Sequence, residues 1–203
     1  MTEAEKRQFR DHLAEWDLTR DELNEIIAEN PPVISVLSGF VTEYKFRKLW
    51  LGRRGISNVT RPLAADRATK CDFVFQYLDR QFSVEVKSLD RPKVQQEGDG
   101  WKGTFQCNAS DSREVELPNG DKVVTNCLVV GQFDVLAVGL FSFGSQWRFA
   151  FARNDDLPRS RWKNYTEVQR KFLLPSSMRI TWPLQPPYSA DLFGVLDSIL
   201  RKR

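Results

Sequence analysis

Cys71-Asp72-Phe73-Val74-Phe75-Gln76-Tyr77, then Leu78-Asp79-Arg80-Gln81, then Phe82-Ser83-Val84-Glu85-Val86-Lys87, is the stretch from which the fold of this chain is read. The outer pieces alternate with the period of two that marks a strand, and the polar middle piece predicts a turn. In the second strand Phe82, Val84 and Val86 point to one face, and Ser83, Glu85 and Lys87 to the other. A hairpin partner brings Asp72 beside Glu85 and Lys87. Two carboxylates and an ammonium on one strand face make a poor core. They suit a divalent cation and a water molecule.

The segment that leads into this hairpin is basic. Between Glu43 and Lys70 stand Lys45, Arg47, Lys48, Arg53, Arg54, Arg61, Arg67 and Lys70, against only Glu43 and Asp66. A basic flank beside paired carboxylates suits a polyanion whose phosphates must approach them. A solvated helix face is the alternative reading of the same charges.

Composition sets the outer limits. With 203 residues, 41% hydrophobic and 12% aromatic, the chain can bury one core and fits a single domain. Its net charge of +3 is ordinary. No apolar run approaches the roughly 20 residues that cross a bilayer, so no membrane association is expected. The start Met1-Thr2-Glu3-Ala4-Glu5-Lys6-Arg7 is too polar for a secretory signal, and a soluble cytoplasmic protein is the expectation. Cys71, Cys107 and Cys127 form no Cys-x-x-Cys pair, which points away from a disulfide framework or a zinc knuckle. His12 is the single histidine, which disfavours histidine metal sites and Ser-His-Asp chemistry.

The remaining elements follow from pattern. Helices are predicted over 2–16, from a Thr19 cap to Glu29, and over 33–52, with Asn30-Pro31-Pro32 as the stop between the last two. A short strand is expected at Ile56–Val59, a mobile loop from Leu89 to Gly103, a strand at Phe105–Asn108, and a turn or cap at Ser110–Ser112. Glu114–Leu117 and Lys122–Thr125 flank Asn119-Gly120 as a hairpin. Phe133–Phe141 reads as a buried central strand, Trp147–Ala152 as its neighbour, and 190–200 as a last helix. Asp134, inside the apolar run, requires a partner if buried. Trp101, Trp162 and Trp182 read as packing residues.

Asp72, twelve intervening residues, and Glu85-Val86-Lys87 together resemble the signature of the PD-(D/E)XK nuclease superfamily. Cys71 stands where a proline precedes the aspartate in that signature. Gly39–Lys45 resembles the helix that supplies the superfamily's additional acid, which would be Glu43. Gln106 resembles the glutamine that follows the Glu-x-Lys strand in some branches. The resemblance implies an α/β fold, a restriction-endonuclease-like mixed β-sheet flanked by helices with a helical N-terminal segment. It divides the single domain 1–203 into a lead-in at 1–32, a nuclease core at 35–155 and a C-terminal extension at 156–203.

The implied activity is Mg²⁺-dependent hydrolysis of DNA phosphodiester bonds, with Mn²⁺ able to substitute, in a restriction or defence role. Asp72, Glu85 and the Val86 carbonyl would hold the metal, and Lys87 would orient the attacking water or neutralise charge. Glu43 and Gln106 would complete the site. Lys45, Arg47, Lys48, Arg53 and Arg54 would contact DNA, with base-reading side chains on loops near 89–103 and 110–126. Cutting both strands implies a homodimer, and the reading leaves room for a methyltransferase or another defence-system partner. A catalytically silent nucleic-acid-binding module on the same fold is the alternative, and divalent-metal binding separates the two. A carboxylate-pair glycosidase is a third reading, which Lys87 and the basic flank fit less well.

Overall fold

The computed structural model describes residues 11–62, 71–89 and 91–202. Residues 2–10 of the first expected helix, and Asp66, Arg67 and Lys70 of the basic segment, lie outside the described residues. Contacts divide the chain into one unit ending at Phe40 and a second beginning at Val41.

The first unit is helical. Asp11 caps α1 (His12–Glu15) by accepting from the amides of Leu13 and Ala14. Thr19 and Glu22 form a reciprocal capping box at the start of α2 (Arg20–Glu29), the cap that the sequence predicts. The chain stops at Asn30 and restarts at once as α3 (Pro31–Phe46). Proline opens a helix readily because a first-turn N–H has no intrahelical acceptor.

In the second unit α3 runs to Phe46 and loosens into a π-helical turn at Arg47–Leu51, where the sequence predicts continuous helix. The strands are β1 (Ile56–Thr60), β2 (Phe73–Tyr77), β3 (Arg80–Ser88), β4 (Gln95–Glu97), β5 (Gly100–Gln106), β6 (Asn108–Glu116), β7 (Lys122–Cys127), β8 (Val135–Gly139), β9 (Phe149–Arg153) and β10 (Ser177–Trp182). Two further helices are α4 (Glu167–Phe172) and α5 (Leu192–Arg201). Five strands form a mixed sheet in the order β1-β2-β3-β8-β9, with β3 and β8 parallel and the other pairs antiparallel. A second sheet has the order β10-β5-β4, and β6 pairs with β7 alone. The chain is therefore a mixed α/β protein, as expected.

Side-chain alternation splits the core across the large sheet. Phe82, Val84, Val86, Val135, Ala137, Phe149 and Phe151 face Phe46, Leu51, Leu192, Val195 and Leu196, so α3 and α5 cover that side. Leu136, Val138, Ala150 and Ala152 face Phe105, Cys107, Met178 and Ile180 of the second sheet and its neighbours. Glu85 and Lys87 alternate with Val84 and Val86, so they point toward the side of the second sheet.

Several expectations change. The loop predicted at 89–103 contains β4 and most of β5, closed at Gly98, whose φ is +56°. Gln95–Glu97 carries no apolar alternation, so pairing with β5 creates this strand without a local hydrophobic signal. The turn predicted at Ser110–Ser112 lies inside β6, where the register to β7 shifts between Asn108 and Arg113. The four-residue turn before β3 contracts to Leu78-Asp79, because Tyr77 already pairs with Arg80.

Gly139 ends β8 where α3 approaches most closely. A Cβ there would collide with Thr42 Cγ2. Gly139→Ala is expected to cost about 1–3 kcal/mol, read as a lower denaturant midpoint. An unchanged midpoint would show that the α3 seat is soft.

Candidate active site

Asp72 lies one residue before β2, and its amide donates to the Val84 carbonyl at 3.0 Å. Phe73 opposite Val84 belongs to the helix-side core, so alternation turns Asp72 to the face of Glu85. Its carboxylate is tied down by the strand itself, because the Val86 amide donates to Asp72 Oδ2 at 2.7 Å. Lys87 Nζ lies 2.6 Å from Glu85 Oε1 and donates to the Asn108 carbonyl at 3.3 Å. Glu85 is only 8% exposed. Glu43 comes from α3 and is paired with Arg61.

These groups share one electrostatic neighbourhood. Burial raises the proton affinity of Glu85, Lys87 opposes that, and Asp72 and Glu43 reinforce it, leaving the carboxyl at about 7. Asp72 is raised by burial against the opposing Val86 amide, Lys87 and Arg61. Glu43 is raised by burial and by Asp72, against Arg61 and Lys87. For Lys87 burial works against the charge, but Glu85 and then Asp72 outweigh it and hold the ammonium above its ordinary value. The sequence-selected Asp72, Glu85, Lys87 and Glu43 are thus brought together.

Of the other selected residues, only Val86 is hydrogen-bonded to these carboxylates among the described residues. Gln106 is exposed at the end of β5, opposite Ser177, while its neighbour Cys107 is the residue that feels Lys87. Val86 meets Asp72 through its amide. Lys45 lies over the Trp147 ring, Arg47 and Lys48 over Tyr44, and Arg53 stacks 3.9 Å from Trp50; Arg54 is exposed. A guanidinium on an indole keeps its charge available to an anion. Burial, then Glu85 and Asp72, push the Cys71 thiol up to about 12, which leaves it protonated and a poor nucleophile. Asp134 has the partners it requires, namely Arg80 at 3.0 Å and the Ser83 amide and hydroxyl at 2.8 and 2.9 Å.

Two contributors escape sequence reading. The Asn108 carbonyl is backbone and leaves no residue-type signal. Arg61 sits among many basic residues, and only the fold selects it as the partner of Glu43.

The donor set is that of a hard cation. Among the described residues Asp72 Oδ1 and Glu85 Oε2 carry no hydrogen bond, and both carboxyls are held close at a cost in proton affinity that a cation would offset. Among the described residues no three His, Cys, Asp or Glu side chains converge as ligands, so backbone oxygen or water would complete the shell. A surface depression of about 440 Å³ that includes Asn58, Gln76 and Gln81 shares no residue with this site.

No family model matches the chain, and no curated protein matches it. Among solved structures a bacterial homing endonuclease, I-Ssp6803I, is similar over 83% of this chain and 94% of its own, with 18% identity and a TM-score of 0.39. Similarity at that level carries no weight for fold or activity, and both rest on the geometry above.

Because the folded Glu85 carboxyl holds its proton to about 7, above its ordinary 4.5, the folded state binds more protons than the unfolded chain across that window. Stability in chelator is therefore expected to fall as pH rises from about 4.5 to 7. The raised Asp72 and Glu43 carboxyls act in the same direction. Denaturation at pH 5 and pH 8 checks this, with a smaller fall expected for Glu85→Gln. An equal fall in both proteins would remove Glu85 as the cause.

Proposed function

We propose that this chain is a Mg²⁺-dependent endonuclease acting on DNA phosphodiester bonds, with Mn²⁺ able to substitute. The observation that carries the reading is the packing of Asp72 and Glu85 against Lys87 at the face between two sheets. A binding surface for phosphates gains nothing from buried carboxylates, whereas a metal-dependent hydrolase requires them. The alternative of a silent nucleic-acid-binding module is disfavoured on that ground. The restriction-endonuclease-like identity of the fold, a defence role, cytoplasmic action, homodimer formation and a methyltransferase partner belong to the same proposal.

Asp72 and Glu85 would hold the cation through their uncommitted oxygens, with the Val86 carbonyl as a further hard donor. A bound Mg²⁺ supplies charge to the phosphoryl group and lowers the pKa of a coordinated water. The Val86 amide fixes the rotamer of Asp72, so one oxygen stays directed at the site. Lys87 keeps its proton because Glu85 and Asp72 hold it there, which suits water orientation and neutralisation of developing charge better than proton abstraction. Glu43 would orient a water in the second layer, with Arg61 opposing its protonation. The exposed Arg47, Lys48, Arg53 and Arg54 would meet the flanking phosphates.

Cleavage of supercoiled, linear and single-stranded DNA with Mg²⁺ or Mn²⁺ is the direct test. Asp72→Ala and Lys87→Ala are each expected to lose about 10²–10⁴-fold in rate. Glu43→Ala is expected to retain partial activity. Metal-dependent cleavage that survives both Asp72→Ala and Lys87→Ala would place the chemistry elsewhere.

A further inference from the structure

Trp162 does not pack as its residue type predicts. It is 55% exposed, and its ring meets Tyr165 edge-to-face at 4.7 Å. Trp101 and Trp182, by contrast, are partly buried against the core. Trp162 and Tyr165 line a cleft of about 350 Å³ together with Asn126, Ser160, Arg161 and Ser177. The lining therefore combines two aromatic rings, an amide that can donate and accept, the hydroxyls of Ser160, Ser176 and Ser177, and a cation. Among the described residues no carboxylate lines it.

The cleft adjoins the catalytic cluster through the backbone. Cys127, in its wall, pairs with Asn108, whose carbonyl receives the Lys87 ammonium. Ser176, also in its wall, accepts the Cys107 amide at 2.8 Å, and Ser177 faces Gln106 in the strand register. Opposed strand residues lie about 5 Å apart, so the wall and Lys87 are separated by on the order of one nucleotide.

A second, independent observation concerns charge. The guanidinium nitrogens of Arg113 are buried and have no hydrogen-bond partner among the described residues. Arg113 stands opposite Thr125 in the strand pair, and Thr125 Oγ1 contacts the Tyr165 hydroxyl at 2.5 Å. Burying a guanidinium without hydrogen-bond partners is costly in the free protein. Arg161, in the lining, is the cation that an anion in the cleft would meet.

We propose that this cleft receives one unpaired nucleotide of the DNA, with its base stacked on Trp162 and its phosphate drawn by Arg161. Asn126 and Ser160 present the polar groups that a base edge requires. Aromatic stacking of this kind tolerates any base, because each offers a π-face. The inference rests on the nuclease reading for its substrate, but it makes a separate binding prediction. The unpaired nucleotide has two sources, a base extruded from duplex or a single-stranded segment.

The test is fluorescence-anisotropy binding in chelator with three labelled DNAs: an intact duplex, the same duplex with one extrahelical nucleotide, and a single strand. Each of the last two is also made with an abasic position. Trp162→Ala is expected to weaken binding of a DNA with an unpaired base about tenfold or more, with Trp162→Phe retaining most of the affinity. The abasic DNAs are expected to bind wild type and Trp162→Ala alike, which a purely structural role for Trp162 would not produce. Loss confined to the extrahelical duplex assigns base extrusion, and loss confined to the single strand assigns a strand segment. Equal binding by wild type and Trp162→Ala, or equal losses with and without the base, overturns the cleft. Metal-dependent cleavage by the wild type is scored in parallel. Cleavage with Trp162-independent binding removes only this inference, whereas Trp162-dependent binding without cleavage removes only the nuclease reading.

Discussion

Lys87 and Glu85 share a 2.6 Å contact on a strand that is covered on both faces, and this burial is what the site depends on. A surface pair of the same residues would contribute little and titrate normally. Here the parallel neighbour β8 and the second sheet withdraw water from one face of β3, so each charge requires the other. Lys87 offsets only part of the cost of bringing Asp72, Glu85 and Glu43 together. The residual excess of negative charge makes the cluster receptive to a cation. In the same arrangement the Lys87 ammonium donates to the Asn108 carbonyl.

Much of this was legible in the chain. The Asp72–Lys87 hairpin could be read because its apolar residues alternate strictly, and the inward set Phe82, Val84 and Val86 is buried as the pattern requires. Val135–Gly139 could be read because a strand covered on both faces is apolar throughout. The β4 strand could not, since Gln95-Gln96-Glu97 becomes a strand only through the neighbouring β5. The β10 strand does alternate, with Met178 and Ile180 buried, but its flanking prolines concealed it.

The site divides in the same way. Asp72, Glu85 and Lys87 are near one another in the hairpin, so their meeting is local. Glu43 with Arg61, and Lys87 with Asn108, are tertiary meetings that residue type does not report. Trp162 reverses the usual expectation for its type, because tryptophan is on average well buried. Its exposure follows from Tyr165, which takes the inward place beneath the β6–β7 hairpin and leaves the indole outside.

The order of strands also imposes an order in time. The hairpin that bears Asp72, Glu85 and Lys87 is synthesised early and can pair locally. Its covering on one side waits for Val135–Gly139, and β5 gains its outer neighbour only when Ser177–Trp182 has emerged. Helix α5, which closes the opposite face, comes later still. A nascent chain therefore carries Asp72, Glu85 and Lys87 before it carries the surroundings that change their affinities for protons. Assembly of the cluster is in this sense a late event of translation, governed by the distant strands more than by the hairpin that bears its charges.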